Sequence, residues 1–218
     1  MPLQYTQTVS VSDDSTSFTL TDTTGNYNAV TNPGGWGVPN PIKEFSYPYL
    51  QVYNVCTGTY LTPLAPYLIT QDTDPFIYPE LGGDNYISYL AGDPPMNPDY
   101  NPTTFDLPTD YGIPKLEDGI YLFTMKIVEG EEESYSLVST YTSYVGVIND
   151  IDCCLKKFAN NVIDHKCFTK GMLEKWMEFM KYRNAFDYAI ACGNYETACE
   201  SVSMLKTLCE QSSCGCGC

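Results

Sequence analysis

The chain has 218 residues, of which 43% are hydrophobic and 17% are charged, so it can bury a sizeable core and is not disordered by composition. Its formal net charge is −16. The whole imbalance falls on residues 1–150, which hold 19 acidic and three basic residues, whereas residues 151–218 hold eight of each. An acidic surface repels phosphates, which argues against direct nucleic acid binding by the first part. Such a surface favours basic partners or divalent cations, and the alternative is a solvated surface that keeps an abundant protein soluble.

The compartment is predicted from two missing segments. No basic and then apolar N-terminal stretch has the form of a secretory signal, and no apolar run reaches the roughly 18 residues of a membrane span. The sequence therefore predicts a soluble protein made in the cytosol of the cell that produces it, with no membrane partner. Ten cysteines, nine of them after residue 152, would suggest disulfides in a secreted protein. The missing signal predicts reduced thiols instead.

Residues 1–148 have the pattern of an acidic all-β domain. Residues 3–12 and 17–22 alternate polar and apolar side chains on either side of a turn at 13–16, which predicts a β-hairpin. Further strands are predicted at 46–56, 66–70, 85–90, 118–130 and 134–147. Many short strands separated by turn residues indicate a β-sandwich or a β-barrel.

Two segments rich in glycine and proline interrupt these strands, at residues 23–41 and 91–116. So many glycines and prolines predict long loops, which in compact domains are usually functional or form interfaces. Three residues of the first loop are the interface candidates, namely Trp36, Tyr27 and Pro39. An exposed tryptophan in a rigid loop is a typical binding hot spot. The alternative is that Trp36 folds back over the end of its own sandwich.

From residue 149 the apolar spacing changes to three and four, which predicts a module of three short helices over residues 149–218. The first is predicted to begin with Asp150 or Asp152 as its cap, and the third covers residues 195–210. The second covers residues 169–191 and is predicted to turn six side chains inward, namely Leu173, Trp176, Met177, Met180, Phe186 and Ile190. Gly193 is a left-handed helix-end signal. The fold class is therefore α+β, with two domains.

Residues 191–198 (ACGNYETA) resemble the turn between the two helices of a tetratricopeptide repeat. In that turn glycine makes the bend, and tyrosine and alanine pack the second helix. No second copy of the pattern occurs in the chain, so the resemblance implies a helical hairpin and not a repeat array.

Few residues suggest catalysis. The single histidine, His165, lies two residues before Cys167, whereas catalytic Cys–His partners normally come from separate elements. No nucleophile elbow, phosphate loop or dinucleotide glycine pattern occurs. Acidic loops at 71–76 and 93–106 supply oxygen ligands but lack the EF-hand spacing, so cation binding there stays open. We predict that the protein is not an enzyme and carries no cofactor.

The cysteines are the most distinctive local feature. The chain closes with Cys214, Cys216 and Cys218, whose alternate spacing is a poor chelate for one structural zinc. These three are candidates for a metal site or for an inter-subunit disulfide, beside the alternative of a flexible, dispensable terminus. Cysteines at apolar helix positions, such as Cys199 and Cys209, are expected to be small buried hydrophobic side chains.

Three segments together carry a resemblance to a known class of proteins. They are LTDTTGNYNAVTNPGGWGVPNP at 20–41, LEDGIYLFTMKI at 116–127, and the terminal CGCGC. The chain resembles small structural proteins of tailed phages that infect Bacteroidetes, including the crAss-like phages. The resemblance implies a virion component with an immunoglobulin-like sandwich, such as a neck or tail ring subunit or a tail-attached adaptor.

Two functions follow from these observations. The first is a virion structural protein, a head-to-tail connector subunit that assembles as a homo-oligomeric ring with other virion proteins. The second is a β-sandwich binding module, a tail adaptor that recognises a carbohydrate or a host surface through tyrosines and acidic loops.

Overall fold

A computed structural model describes residues 7–22, 46–64, 86–88, 103–131, 134–163 and 170–211. These residues divide into two compact units. Unit 1 holds the described residues up to Asn54 together with those of Gly58–Lys115 and Leu122–Val145, and unit 2 holds those of Val55–Thr57, Leu116–Tyr121 and Gly146 onwards. The architecture is α+β, with two antiparallel sheets and with the α-helices in the C-terminal part.

The strands in the described part are β1 (Gln7–Val11), β2 (Ser17–Asp22), β3 (Ser46–Asn54), β4 (Thr59–Tyr60), β5 (Tyr86–Ser88), β6 (Thr103–Asp106), β7 (Gly119–Glu131) and β8 (Ser134–Val147). One sheet has the order β1-β2-β6, and the other has the order β4-β3-β7-β8 with β5 also paired to β3. The strands predicted at 46–56, 85–90, 118–130 and 134–147 are confirmed as β3, β5, β7 and β8. The strand predicted at 66–70 lies outside the described residues.

The predicted N-terminal hairpin is confirmed. Strands β1 and β2 pair antiparallel with Val9 opposite Leu20. In the connecting turn one carboxylate oxygen of Asp14 accepts hydrogen bonds from the Ser12 hydroxyl at 2.7 Å and from the Thr16 amide at 3.1 Å. The bond from Ser12 contributes most to lowering the pKa of Asp14. The turn residues thus fix the register by local bonds, as short polar side chains commonly do.

Aromatic side chains from both sheets meet in the core of unit 1. Phe18 on β2 is fully buried, and it stacks on Phe105 of β6 with the ring centroids 5.0 Å apart. The same ring meets Phe123 of β7 edge to face, again at 5.0 Å. Edge-to-face and offset pairs at this distance are the favoured aromatic geometries.

One prediction in unit 1 is wrong. The segment 91–116 is predicted as a loop, yet it contains β6 and a π-helical turn, Leu107–Tyr111. Leu107 and Tyr111 are buried, and Asp106 caps the turn by accepting a hydrogen bond from the Thr109 amide at 2.9 Å. A four-residue strand among prolines has no readable periodicity, and its pairing partner β2 lies far away in sequence.

The helices of unit 2 are α1 (Asn149–Ile163), α2 (Lys170–Ala191) and α3 (Tyr195–Gln211). The bounds of α2 and α3 agree with the predicted second and third helices to within one residue. Gly193 has a φ of 69°, and its amide donates to the carbonyl of Ile190 while the amide of Asn194 donates to that of Ala189. This left-handed cap confirms the predicted end of α2 and the hairpin of α2 and α3.

Candidate functional site

The helices of unit 2 pack around one apolar core. Its buried members are Ile120, Ile148, Ile151, Cys154, Leu155, Phe158, Phe179, Phe186, Ala189, Ala198, Val202, Leu205 and Leu208. On each helix they recur mostly at spacings of three and four, which places them on one face. Phe158 of α1 packs against Phe179 and stacks on Trp176 of α2, with centroid distances of 5.4 and 6.1 Å. One face of α2 is therefore fixed against the core.

Two disulfides cross-link this core. Cys154 of α1 is joined to Cys209 of α3, and their Cα atoms are 6.1 Å apart. Cys199 of α3 is joined to Cys56 in the turn between β3 and β4, and these Cα atoms are 5.1 Å apart. Cys153 is disulfide-bonded as well. The helical unit is thus held by covalent links as well as by packing.

The expectation of reduced thiols is wrong for these residues. Cys199 and Cys209 are also not the isolated hydrophobic side chains that their helical positions predict. The two bonds join residues 143 and 55 positions apart, so only the packing of the helices and the β3–β4 turn brings the sulfur atoms together. Among the described residues Cys192, at the exposed end of α2, is the free cysteine.

A carboxylate that lies just before strand β7 caps helix α1. The side chain of Asp118, just before β7, accepts hydrogen bonds from the amides of Asp150 at 3.1 Å and of Ile151 at 2.9 Å. The predicted caps, Asp150 and Asp152, instead lie inside the first turn of the helix. Asp118 satisfies amides that a helix start leaves without an intrahelical partner.

Asp118 is only 7% exposed. Burial raises the pKa of its carboxyl above the ordinary value, because an ionised carboxylate loses hydration there. The two amide hydrogen bonds favour the ionised form and oppose this effect, as does the positive charge of Lys206. Asp118 is a structural group that joins the start of β7 to the start of α1.

The face of α2 opposite the core carries apolar side chains too. At about 100° per residue, Met177 points in the direction opposite to the buried Phe186. Three further apolar positions lie within roughly 40° of the direction of Met177. We call this set the outer stripe; it consists of Leu173, Met177, Tyr188 and Ala191. Leu173 is 42% exposed, Met177 65% and Tyr188 73%.

Polar residues of the same helix lie between and beside the members of the outer stripe. Exposed positions in the same arc or next to it are occupied by Lys170, Glu174, Glu178, Lys181 and Asn184. Of the seven exposed large hydrophobic side chains among the described residues, three nevertheless belong to this stripe. Exposed apolar side chains that share one face with polar neighbours are typical of a protein interaction surface.

This arrangement corrects the prediction for the second helix. Leu173 and Met177, which are predicted to point inward, are exposed, whereas Phe186 is buried as predicted. Trp176 and Ile190 are half-buried beside the core. Spacings of three and four fit either face of α2, so the periodicity alone does not show which face packs.

Unit 1 has an exposed aromatic pair of its own. Tyr53 on β3 lies directly opposite Tyr60 on β4, and the ring centroids are 4.7 Å apart. Tyr60 is 47% exposed. Two neighbouring tyrosine rings at a sheet surface offer an apolar platform with polar hydroxyl groups.

The interface and metal candidates from the sequence lie outside the described residues. They are Trp36, Tyr27, Pro39, Cys214, Cys216 and Cys218, and the same holds for His165 and Cys167. Their roles stay predictions. Within the described ranges, no group of three or more His, Cys, Asp or Glu side chains could hold a metal ion. No helix in those ranges is long and apolar enough to cross a membrane.

No protein family model, no curated protein and no solved structure matches this chain. Its function must therefore be inferred from the chemistry of its own residues. The features that bear on it are the cross-linked helical core, the outer stripe of α2 and the tyrosine pair of unit 1.

Proposed function

We propose that the chain is a virion structural protein of a tailed phage, a head-to-tail connector subunit of the neck or tail ring. It acts by oligomeric assembly, with further copies of itself and with other virion proteins as partners. Its residence is the virion, and its role requires binding surfaces rather than catalytic residues. The resemblance of the segments at 20–41 and 116–127 to phage structural proteins supports this class.

The disulfides of unit 2 are the observation that carries the proposal. Disulfides persist in oxidising places such as the surfaces of cells and virions, and they are rare in proteins that work in a reducing cytosol. The Cys56–Cys199 and Cys154–Cys209 bonds therefore fit a protein whose working life is spent outside the cell. A particle that must persist without repair gains from covalent links that oppose unfolding.

We further propose that the two sheets of unit 1 form an immunoglobulin-like sandwich. The contacts of Phe18 with Phe105 and Phe123 support it, because they join the two sheets through one aromatic core. Such a sandwich leaves its outer faces and its loops free for contacts with neighbouring subunits. The acidic charge of this part favours neighbours with basic surfaces.

A second candidate is a binding module for a carbohydrate or host surface, and the tyrosine pair favours it. Sugar rings commonly stack on exposed aromatic side chains, and the ring of Tyr60 is available for such a contact. In this alternative the chain is a tail adaptor that binds a ligand, and assembly into a ring is not required.

Native mass spectrometry of the oxidised, full-length chain tests the two candidates. The connector proposal predicts a closed symmetric oligomer whose mass is unchanged by a metal chelator. A chain that stays monomeric at all concentrations contradicts self-assembly.

A glycan-binding assay on the same sample provides the other arm. The second candidate predicts binding that Tyr60→Ala weakens, while Tyr144→Ala, a change at an exposed tyrosine on β8, leaves it intact. A chain that assembles into a ring and binds no glycan supports the connector proposal.

A further inference from the structure

The charge of the chain favours one part of it for contacts between identical copies. Residues 1–150 carry the whole net charge of −16, so two copies that meet through this part repel each other. Residues 151–218 hold eight acidic and eight basic residues and are neutral. The outer stripe lies in this neutral part, and both signs of charge occur in its arc or next to it. The charges of this part therefore add no net repulsion when a second copy docks there.

We infer that the outer stripe binds the outer stripe of a second copy of this chain, with the two α2 helices antiparallel. A two-fold axis relates the two copies, so the same surface of each copy takes part in the contact. Placing the axis between Met180 and Lys181 puts Leu173 of each copy level with Tyr188 of the other. Each exposed leucine then packs on an exposed tyrosine ring, and this contact occurs twice.

The middle of the contact follows from the same axis. Met177 of each copy lies level with Asn184 of the other. Asn184 is exposed, and its short side chain leaves room for the longer methionine. A buried polar residue among apolar ones lowers the affinity of a helix pair while it restricts the registers that the pair can adopt.

The charges beside the stripe favour the antiparallel direction. Glu178 and Lys181 lie on one flank of the stripe, and the two-fold axis brings this flank against the same flank of the second copy. The backbone positions of Lys181 in one copy and Glu178 in the other then differ by about 3 Å along the helix axis. The two Lys181 side chains begin near the two-fold axis. Their length lets each ammonium group reach Glu178 of the other copy. In a parallel pair each charged residue would instead lie level with the same residue of the other copy, so that charges of the same sign would face each other.

A two-fold contact joins copies in pairs and cannot close a ring alone. This inference rests on the assembly role proposed above, and it adds that a ring built with the outer stripe contains an even number of copies. A second contact, elsewhere on the chain, must then join one pair to the next. Because the stripe has few large side chains, we expect the isolated pair to have a dissociation constant on the order of micromolar.

Sedimentation analysis of the oxidised, full-length chain with charge-exchange variants tests the pairing. Lys181→Glu places like charges together on the shared flank, and we expect it to weaken pairing by about tenfold. Glu178→Lys should act in the same way, while the double variant E178K/K181E restores both ion pairs and should pair within about threefold of the parent chain. The control Lys156→Glu makes the same charge change at an exposed position of α1 and should have no effect.

Met177→Glu tests the apolar part of the contact. Because Met177 is 65% exposed, the substitution should leave the helical circular dichroism unchanged while it removes detectable pairing. If the chain still assembles with Met177→Glu, the outer stripe is not the contact, although the assembly role stands. Failure of the double variant to recover pairing overturns the antiparallel arrangement. A parent chain that is monomeric at every concentration overturns both this inference and the proposed ring.

Discussion

The contribution of the Cys56–Cys199 disulfide to stability can be worked out from the structure. The bond joins residues 143 positions apart, and the loop-closure entropy that it removes from the unfolded chain corresponds to about 5 kcal/mol. The Cys154–Cys209 bond already restricts the unfolded chain, which lowers this figure. We therefore expect the double substitution Cys56→Ser/Cys199→Ser to reduce the free energy of unfolding by about 4 kcal/mol. Both side chains are half-buried, so serine fits without a large cavity.

Guanidinium denaturation followed by far-UV circular dichroism measures this loss, because α1, α2 and α3 all lie in unit 2. Cys192→Ser is the matched control; it removes a free, exposed thiol and should change the free energy of unfolding by less than about 0.5 kcal/mol. A loss below about 1 kcal/mol for the double variant would refute the reasoning, since the covalent link would then add little to the packing.

Three further substitutions test single contacts by chemical denaturation. Tyr111→Phe should be neutral or stabilising by about 1 kcal/mol, because the buried Tyr111 hydroxyl has no hydrogen-bond partner among the described residues; a clear loss would reveal one. Gly146→Ala should cost about 1–3 kcal/mol, because the added Cβ would lie 2.7 Å from Cζ of Phe186; an unchanged midpoint would contradict this close approach. Asp118→Asn should cost about 2 kcal/mol, because one backbone amide loses its acceptor. The pKa of Asp118 in the folded chain is raised above 3.8. The difference in free energy of unfolding between the parent chain and this variant should therefore grow as the pH falls through that folded pKa and shrink as the pH rises. The opposite dependence on pH would refute the direction of the pKa shift.

Much of the fold could be predicted because its signals are local. The alternation in β7 and β8 and the apolar spacing of α1 and α3 are visible within single segments. Gly193 marks the end of α2 for the same reason, since a left-handed residue after a helix favours glycine. The features that could not be predicted depend on distant partners. Strand β6 exists through its pairing with β2, and the cap on α1 comes from Asp118, 32 residues before Asp150.

The cysteines show where a prediction from compartment fails. Reduced thiols follow from a cytoplasmic place of synthesis only if the protein also works there. The thiols of a protein that is made in a cytoplasm and works outside it need not stay reduced. The pairing of Cys56 with Cys199 and of Cys154 with Cys209 could not be derived from spacing, because cysteine positions alone do not determine which sulfur atoms meet.

The outer stripe could not be predicted from the sequence, because the apolar spacing of a helix does not show which partner an apolar face contacts. A spacing of three and four shows that apolar side chains share a face, but it does not show whether that face meets the core of the same chain or a second molecule. In α2 this spacing predicts Leu173 and Met177 inward together with Phe186, yet only Phe186 is buried. The distinguishing signal is the angle between them: Phe186 lies about 180° from Met177 around the helix axis, so one core cannot bury both side chains. A helix with large apolar side chains in opposite directions therefore predicts two partners, and the described core of unit 2 accounts for only one of them.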